Sequence, residues 1–173
     1  MSLIEDDVRV ALGDLLKTEW NATNVADYAL DDDSASKSIG LHLRGSVRTD
    51  RPLPQLTLVD VSNVGSVFGT AGDGTGPVIR FDGRVDVRAF VGSAEDVPGG
   101  ESPALLSRAI AREAKLIVQS TIDGLVDPAT GGALAYRVGV LDGPTSRPDP
   151  EAPDEHRGDV EVGYKQLEKT PQR

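Results

Sequence analysis

From Val78 to Val91 the chain alternates without a slip, which commits this stretch to one long β-strand with two unlike faces. Ile79, Phe81, Gly83, Val85, Val87, Ala89 and Val91 share one side. Val78, Arg80, Asp82, Arg84, Asp86, Arg88 and Phe90 share the other, whose centre is a ladder of alternating cations and anions. At about 3.3 Å per residue, the strand reaches roughly 45 Å, more than twice the usual length. It outruns a small core, so its far end is expected against another chain. The apolar side is expected to seat a helix and the ladder to face outward.

The remaining pattern predicts the other elements. Ser2 and Glu5 fit a capping box before a helix whose stripe is Ile4, Val8, Ala11, Leu12 and Leu15, with Leu16 beside it and Trp20 closing it against the core. Residues 21–38 are polar and small and read as a solvated loop. Short strands follow, one with Ile39, Leu41 and Leu43, another over Gln55 to Asn63 with Leu56 and Leu58 on one face. Residues 62–77, rich in glycine, read as a mobile hairpin tip that projects and touches a neighbour.

A second helix starts at Ser102 and Pro103. Its stripe is Leu106, Ala109, Ile110, Ala114, Ile117 and Thr121, with Leu105 and Leu116 at the margin, and Arg108, Arg112, Glu113 and Lys115 outside. Gly124 is placed to end it. Leu134, Tyr136, Val138 and Val140 alternate as one strand. A proline-rich acidic loop over 144–157 leads to a last strand with Val160, Val162 and Tyr164 on one side. The tail over 168–173 is polar. This order predicts a single α+β domain over 1–173, an antiparallel sheet with a long central hairpin packed by an N-terminal helix and a second amphipathic helix.

Charge and composition exclude several functions. A net charge of −10 disfavours a nucleic-acid ligand, because phosphate binding needs clustered cations that release counterions. Asp outnumbers Glu, and only Lys17, Lys37, Lys115, Lys165 and Lys169 are lysines. Such a surface fits a salt-in halophile, where salt screens self-repulsion; it also fits an ordinary acidic bacterial protein. Without cysteine there is no disulfide, thiolate nucleophile or cysteine-bound zinc. The N-terminal residues lack the pattern of a secretory signal, and no apolar run is long enough for a membrane helix, so a soluble protein without membrane contact is expected.

Candidate chemical sites fail on detail. The run Asp31-Asp32-Asp33 invites a calcium loop, but Ser36 stands where the turning glycine belongs and His42 where the bidentate acid belongs. The glycines of 62–77 precede a strand and lack the lysine of a phosphate loop. His42 and His156 have no second ligand nearby, and His42 reads as a surface or cross-strand residue. Asp82 and Asp86 sit among Arg80, Arg84 and Arg88, which favours their ionised forms and disfavours a general acid. No catalytic residue, metal or cofactor is expected.

The order of an N-terminal helix ending in Trp20, a long loop, a central hairpin with the arm Arg80-Phe81-Asp82-Gly83-Arg84-Val85-Asp86-Val87-Arg88-Ala89-Phe90, an amphipathic helix and a final strand Asp159 to Tyr164 resembles the tail-terminator and head-tail joining proteins of tailed phages. The resemblance spans nearly the whole chain and rests on element order. It implies a ring, usually of six subunits, at the neck of the virion, binding the tail-tube protein and the head connector, assembled in the host cytoplasm. With the Asp-rich composition it points to a virus of a halophilic archaeon. DNA then passes an acidic lumen without specific binding. The implied subunit interface is Arg80, Asp82, Arg84, Asp86, Arg88 and Phe90 on the ladder, with Val67 and Phe68 on the glycine-rich hairpin. Another virion component, a head-completion or tube subunit, is the alternative; a small halophilic enzyme or ligand-binding domain is a third reading.

Overall fold

The computed structural model describes residues 4–43, 47–70, 77–97, 99–121, 124–129, 131–149 and 152–169, with side chains at all of these except 4–7, 63–70, 77–81, 149, 152–154 and 167–169. The elements are α1 (Ile4–Glu19), β1 (Ala29–Leu30), β2 (Ser38–His42), β3 (Gln55–Thr70), β4 (Pro77–Gly92), α2 (Pro103–Ser120), β5 (Leu125–Val126), β6 (Ala133–Ala135), β7 (Arg137–Asp149) and β8 (Ala152–Lys169). Short 3-10 turns lie at Ala22–Val25 and Ala94–Asp96. The fold is α+β, as expected. A mostly antiparallel six-stranded sheet runs in the order β1-β2-β3-β4-β8-β7, β5 and β6 form a small ribbon, and both helices lie on one face of the large sheet.

The core forms where the two periodicities meet. Val85, Val87, Ala89 and Val91 of β4, Leu56 and Leu58 of β3, and Val160, Val162 and Tyr164 of β8 are buried against Leu106, Ile110, Ala114 and Ile117 of α2 and Val8, Leu12 and Leu16 of α1. Leu16, placed beside the first stripe, is fully buried, whereas Leu15 is only partly so. The expected Ser2 cap lies outside the described residues. Two glycines let the layers close. A Cβ on Gly158 of β8 would stand 2.4 Å from the Ser107 carbonyl oxygen of α2. On Gly83 the space of a side chain is taken by the Tyr164 ring, an aromatic covering a strand glycine.

The long strand is present, but its surroundings differ from expectation. β3 follows it out to the pair Thr70 and Pro77, and β8 to the pair Lys169 and Val78. Both edges of the far end of β4 are therefore paired within this chain. The same ladders correct the loops. Most of 62–77 is strand, so Val67 and Phe68 belong to β3 rather than to a loop, and residues 71–76 lie outside the described residues. Most of 144–157 is also strand: β7 runs to Asp149 and β8 begins at Ala152. Glu168 and Lys169, expected in a tail, pair within β8; 170–173 lie outside the described residues.

The reason is that proline and glycine signal turns, yet a sheet admits both residues at its rim. β7 is an edge strand with register breaks around Asp142 and between Pro148 and Asp149, and Pro144 and Pro148 lack the N–H that a central strand would need. Four other expectations change. β1, β2 and β3 pair in parallel, not antiparallel. The strand predicted through Leu134 and Val140 divides at Tyr136 into β6 and β7. Gly124 has a positive φ but lies beyond the α2 cap at Thr121, with its Cα facing the Ala135 carbonyl. The segment 21–38 is anchored rather than solvated throughout: Tyr28 and Val25 are fully buried, and the Trp20 Nε1 donates to the Tyr28 carbonyl at 3.0 Å.

Candidate functional site

With both helices on one side, the opposite face of the sheet is left open, and the ladder stands there. Asp82, Arg84, Asp86 and Arg88 are half-exposed on it; the side chains of Arg80, Val67 and Phe68 lie outside those described. The register extends the ladder across neighbouring strands: Arg88 faces Asp159, Asp86 faces Glu161, and Asp82 faces Lys165 on β8, while β7 brings Asp142 opposite Glu161. The result is a two-dimensional ionic lattice. Arg88 pairs with Asp86 at 3.2 Å, Arg84 reaches Asp86 and Glu161 at 3.7 Å each, and Lys165 reaches Asp82 at 3.5 Å. Asp159 receives Arg157 at 3.1 Å and Arg147 at 3.3 Å.

Asp86, Glu161 and Asp142 are carboxylates in direct register, a repulsive arrangement unless cations intervene. Arg84 and Arg88 supply that screening for Asp86 and Glu161. Phe90, expected on the displayed face, is on it but buried, with the Arg157 guanidinium 5.9 Å from its ring centre. Beside it Gln55 is fully buried. Its Oε1 accepts from the Arg48 N–H at 2.8 Å, and its Nε2 donates to the carbonyls of Arg48 and Arg51 at 2.8 and 3.0 Å, so one side chain holds the 48–52 loop over this end of the sheet.

His42 corrects a surface assignment. It is buried on the same open side, opposite Thr57, beneath that loop. Burial first, and then the guanidinium groups of Arg48 and Arg51, hold its imidazole below the ordinary value. Glu113, expected outside, is buried as well. Its Oε2 accepts from the Asn24 side-chain amide at 2.9 Å and its Oε1 from the Asn21 N–H at 3.2 Å, tying the 3-10 turn to α2. A second cluster forms at the Tyr28 hydroxyl, which donates to Glu101 at 3.3 Å; Lys37 reaches Glu101 at 2.7 Å and stands 5.4 Å from the Tyr28 ring centre. Burial raises the Tyr28 hydroxyl, and the Lys37 hydrogen bond lowers the Glu101 carboxyl.

Two hollows mark the open face. One, of about 480 Å³, is lined by Gly83, Val138, Gly139, Val140, Leu141, Gly163 and Tyr164, with Asp82, Lys165 and Arg137 also on its wall. Gly139 and Gly163 face each other across β7 and β8, and Leu141 leans over Gly163. The other, of about 210 Å³, lies among the lattice charges from Asp86 to Asp142 and Arg147. Among the described residues no group of three His, Cys, Asp or Glu is placed to hold a metal. No described helix is long and apolar enough to cross a membrane. No protein-family model matches the chain, and no curated protein matches it.

Only part of this lattice is visible in the sequence. The β4 charges and Glu161 and Lys165 alternate plainly, whereas Arg147 and Arg157 fall in a stretch whose prolines suggest a loop. Gln55 and Thr57 carry no signal, since a polar residue next to the prolines of 52–54 reads as surface.

Proposed function

We propose that this chain is a structural subunit of a tailed-virus neck, assembling into a closed ring that ends the tail tube and joins it to the head. One observation carries the reading: β4 runs its whole length, Pro77–Gly92, as a ribbon paired with β3 on one edge and β8 on the other, and both helices lie on one face of that sheet. A long sheet covered by helices on one face only has area to spare for assembly on the other. The element order that resembles tail-terminator and head-tail joining proteins supports the same reading. So does the acidic surface, which lets DNA pass without counterion-release gain.

A ring repeats one heterologous contact until it closes, so two different surfaces must match. Light scattering after size exclusion in molar KCl is expected to give a single multi-subunit mass, and negative-stain microscopy to give rings. Monomer at all concentrations would sink the reading. Indefinite stacking into tubes would instead favour a tube subunit. The 480 Å³ hollow keeps a ligand-binding reading in view, for which a ligand-dependent melting shift in monomeric protein is the sign.

A further inference from the structure

The strongest unpartnered surface lies on the other side of the molecule from the ladder. Leu105, Arg108, Ala109, Arg112 and Leu116 fall at i, i+3, i+4, i+7 and i+11 along α2, on one stripe. Leu105 is 64% and Leu116 45% exposed. Among the described residues, neither Arg108 nor Arg112 nor the half-exposed Lys115 takes part in an ion pair, although the chain carries a net charge of −10. The one acid within α2, Glu113, is buried and occupied by Asn21 and Asn24. A ridge of leucine and unpaired arginine is thus displayed by an otherwise acidic protein.

We infer that this α2 ridge seats in the glycine-floored groove on the open sheet face of a second copy. This rests on the ring reading above and names its contact. The lengths agree: from Leu105 to Leu116 the helix advances about 16 Å, and from Arg137 to Asp142 β7 advances about 17 Å. The missing side chain at Gly139 leaves room for the ridge, and Leu141, 62% exposed and leaning over Gly163, offers an apolar wall. Charge sets the direction. The groove has acids at one end, Asp142 and Glu161, and at the other Arg137 and Lys165, the latter paired with Asp82. α2 carries one cation within a turn of Leu105, Arg108, and two within a turn of Leu116, Arg112 and Lys115, so its more positive end meets the acids: Leu116 meets the neighbour's Leu141 and Arg112 meets its Asp142. The neighbour's helix then covers the bare face of the sheet, and the contact is one-directional, as ring closure requires.

Because the chain has no cysteine, the contact can be trapped directly. Leu116→Cys protein mixed with Leu141→Cys protein is oxidised in molar KCl and compared with Val10→Cys mixed with Leu141→Cys; all three positions are exposed. The first pair is expected to form the mixed dimer at least about tenfold faster, since assembly supplies the effective concentration. Arg112→Asp and Asp142→Arg are each expected to shift the ring to monomer, and their combination in one chain to restore it. A ring that forms normally but shows neither preferential cross-linking nor charge-swap rescue overturns the contact and leaves the ring reading standing. Wild-type protein that stays monomeric overturns both.

Discussion

The open sheet face and the outer face of α2 both carry arginine, and they differ in where the charge goes. On the sheet, Arg84, Arg88, Arg147 and Arg157 all have carboxylates within 3.7 Å, supplied by their own or a neighbouring strand. On α2, Arg108 and Arg112 have none among the described residues, and leucines flank them. The lattice part of the sheet face, dense in charge but internally compensated, has less to offer a partner than the glycine-floored groove beside it, because each new contact must first break an existing pair. A sparser surface with unmatched cations beside apolar area loses less on docking. Charge density is therefore a poor guide to an interface, and unmatched charge is a better one.

The largest test of this contrast reverses the α2 cations. Arg108→Glu with Arg112→Glu is expected to abolish assembly by light scattering, while the monomer keeps its stability within about 0.5 kcal/mol, the usual range for surface changes. Loss of folding in that variant would show the two residues to be structural. Next in size is Gly158→Val, which drives a side chain into the Ser107 carbonyl and separates α2 from β8. Denaturant unfolding should show a loss of about 3 kcal/mol, and the ridge should fail with it because its support has moved.

Glu113→Ala removes the acceptor for Asn21 and Asn24 beneath the ridge. A cost of about 1 to 3 kcal/mol is expected from the stranded donors, measured by urea unfolding.

On the sheet side, His42 gives a pH signature. Its folded-state value is depressed, so the unfolded chain binds the proton more readily, and stability is whole above the ordinary value of 6.5 and falls as pH drops below it. Urea midpoints between pH 7.5 and 5 should show that decline, and His42→Phe should flatten it. The smallest effect is assigned to the ladder: Arg88→Ala should cost no more than about 1 kcal/mol and leave assembly unchanged. Loss of the ring in that variant would return the interface to the ladder.

Much of the fold is legible in the sequence where alternation is long. β4, α2, the end of β8 and the α+β class follow from periodicity, since Val85 to Val91 and Leu106 to Ile117 each bury one side against the other. The sheet's rim is not legible. Pro144, Pro148 and the glycines between Ser62 and Thr70 carry turn chemistry, yet the ladder with β8 and β4 overrides it. Glu113 and His42 look exposed in the sequence because their burial depends on the 3-10 turn and the 48–52 loop, which lie outside their own elements. The lattice cations Arg147 and Arg157 are unreadable for the same reason, since strand register decides what they meet.

β7 shows how the sheet guards a rim. As an edge strand it is cut by register breaks and carries two prolines, so its outer row of amides and carbonyls is short and interrupted. The opposite rim passes from β1, two residues long, to β3 beyond Thr57, where pairing with β2 stops and register shifts at Asp60/Ser62 and Val67/Gly69 bend the strand. Bulges on both rims work against backbone zippering, the route that leads to irreversible fibres. Contact between faces, through side chains that salt and single charges can tune, is the more reversible way for two copies of such a sheet to meet.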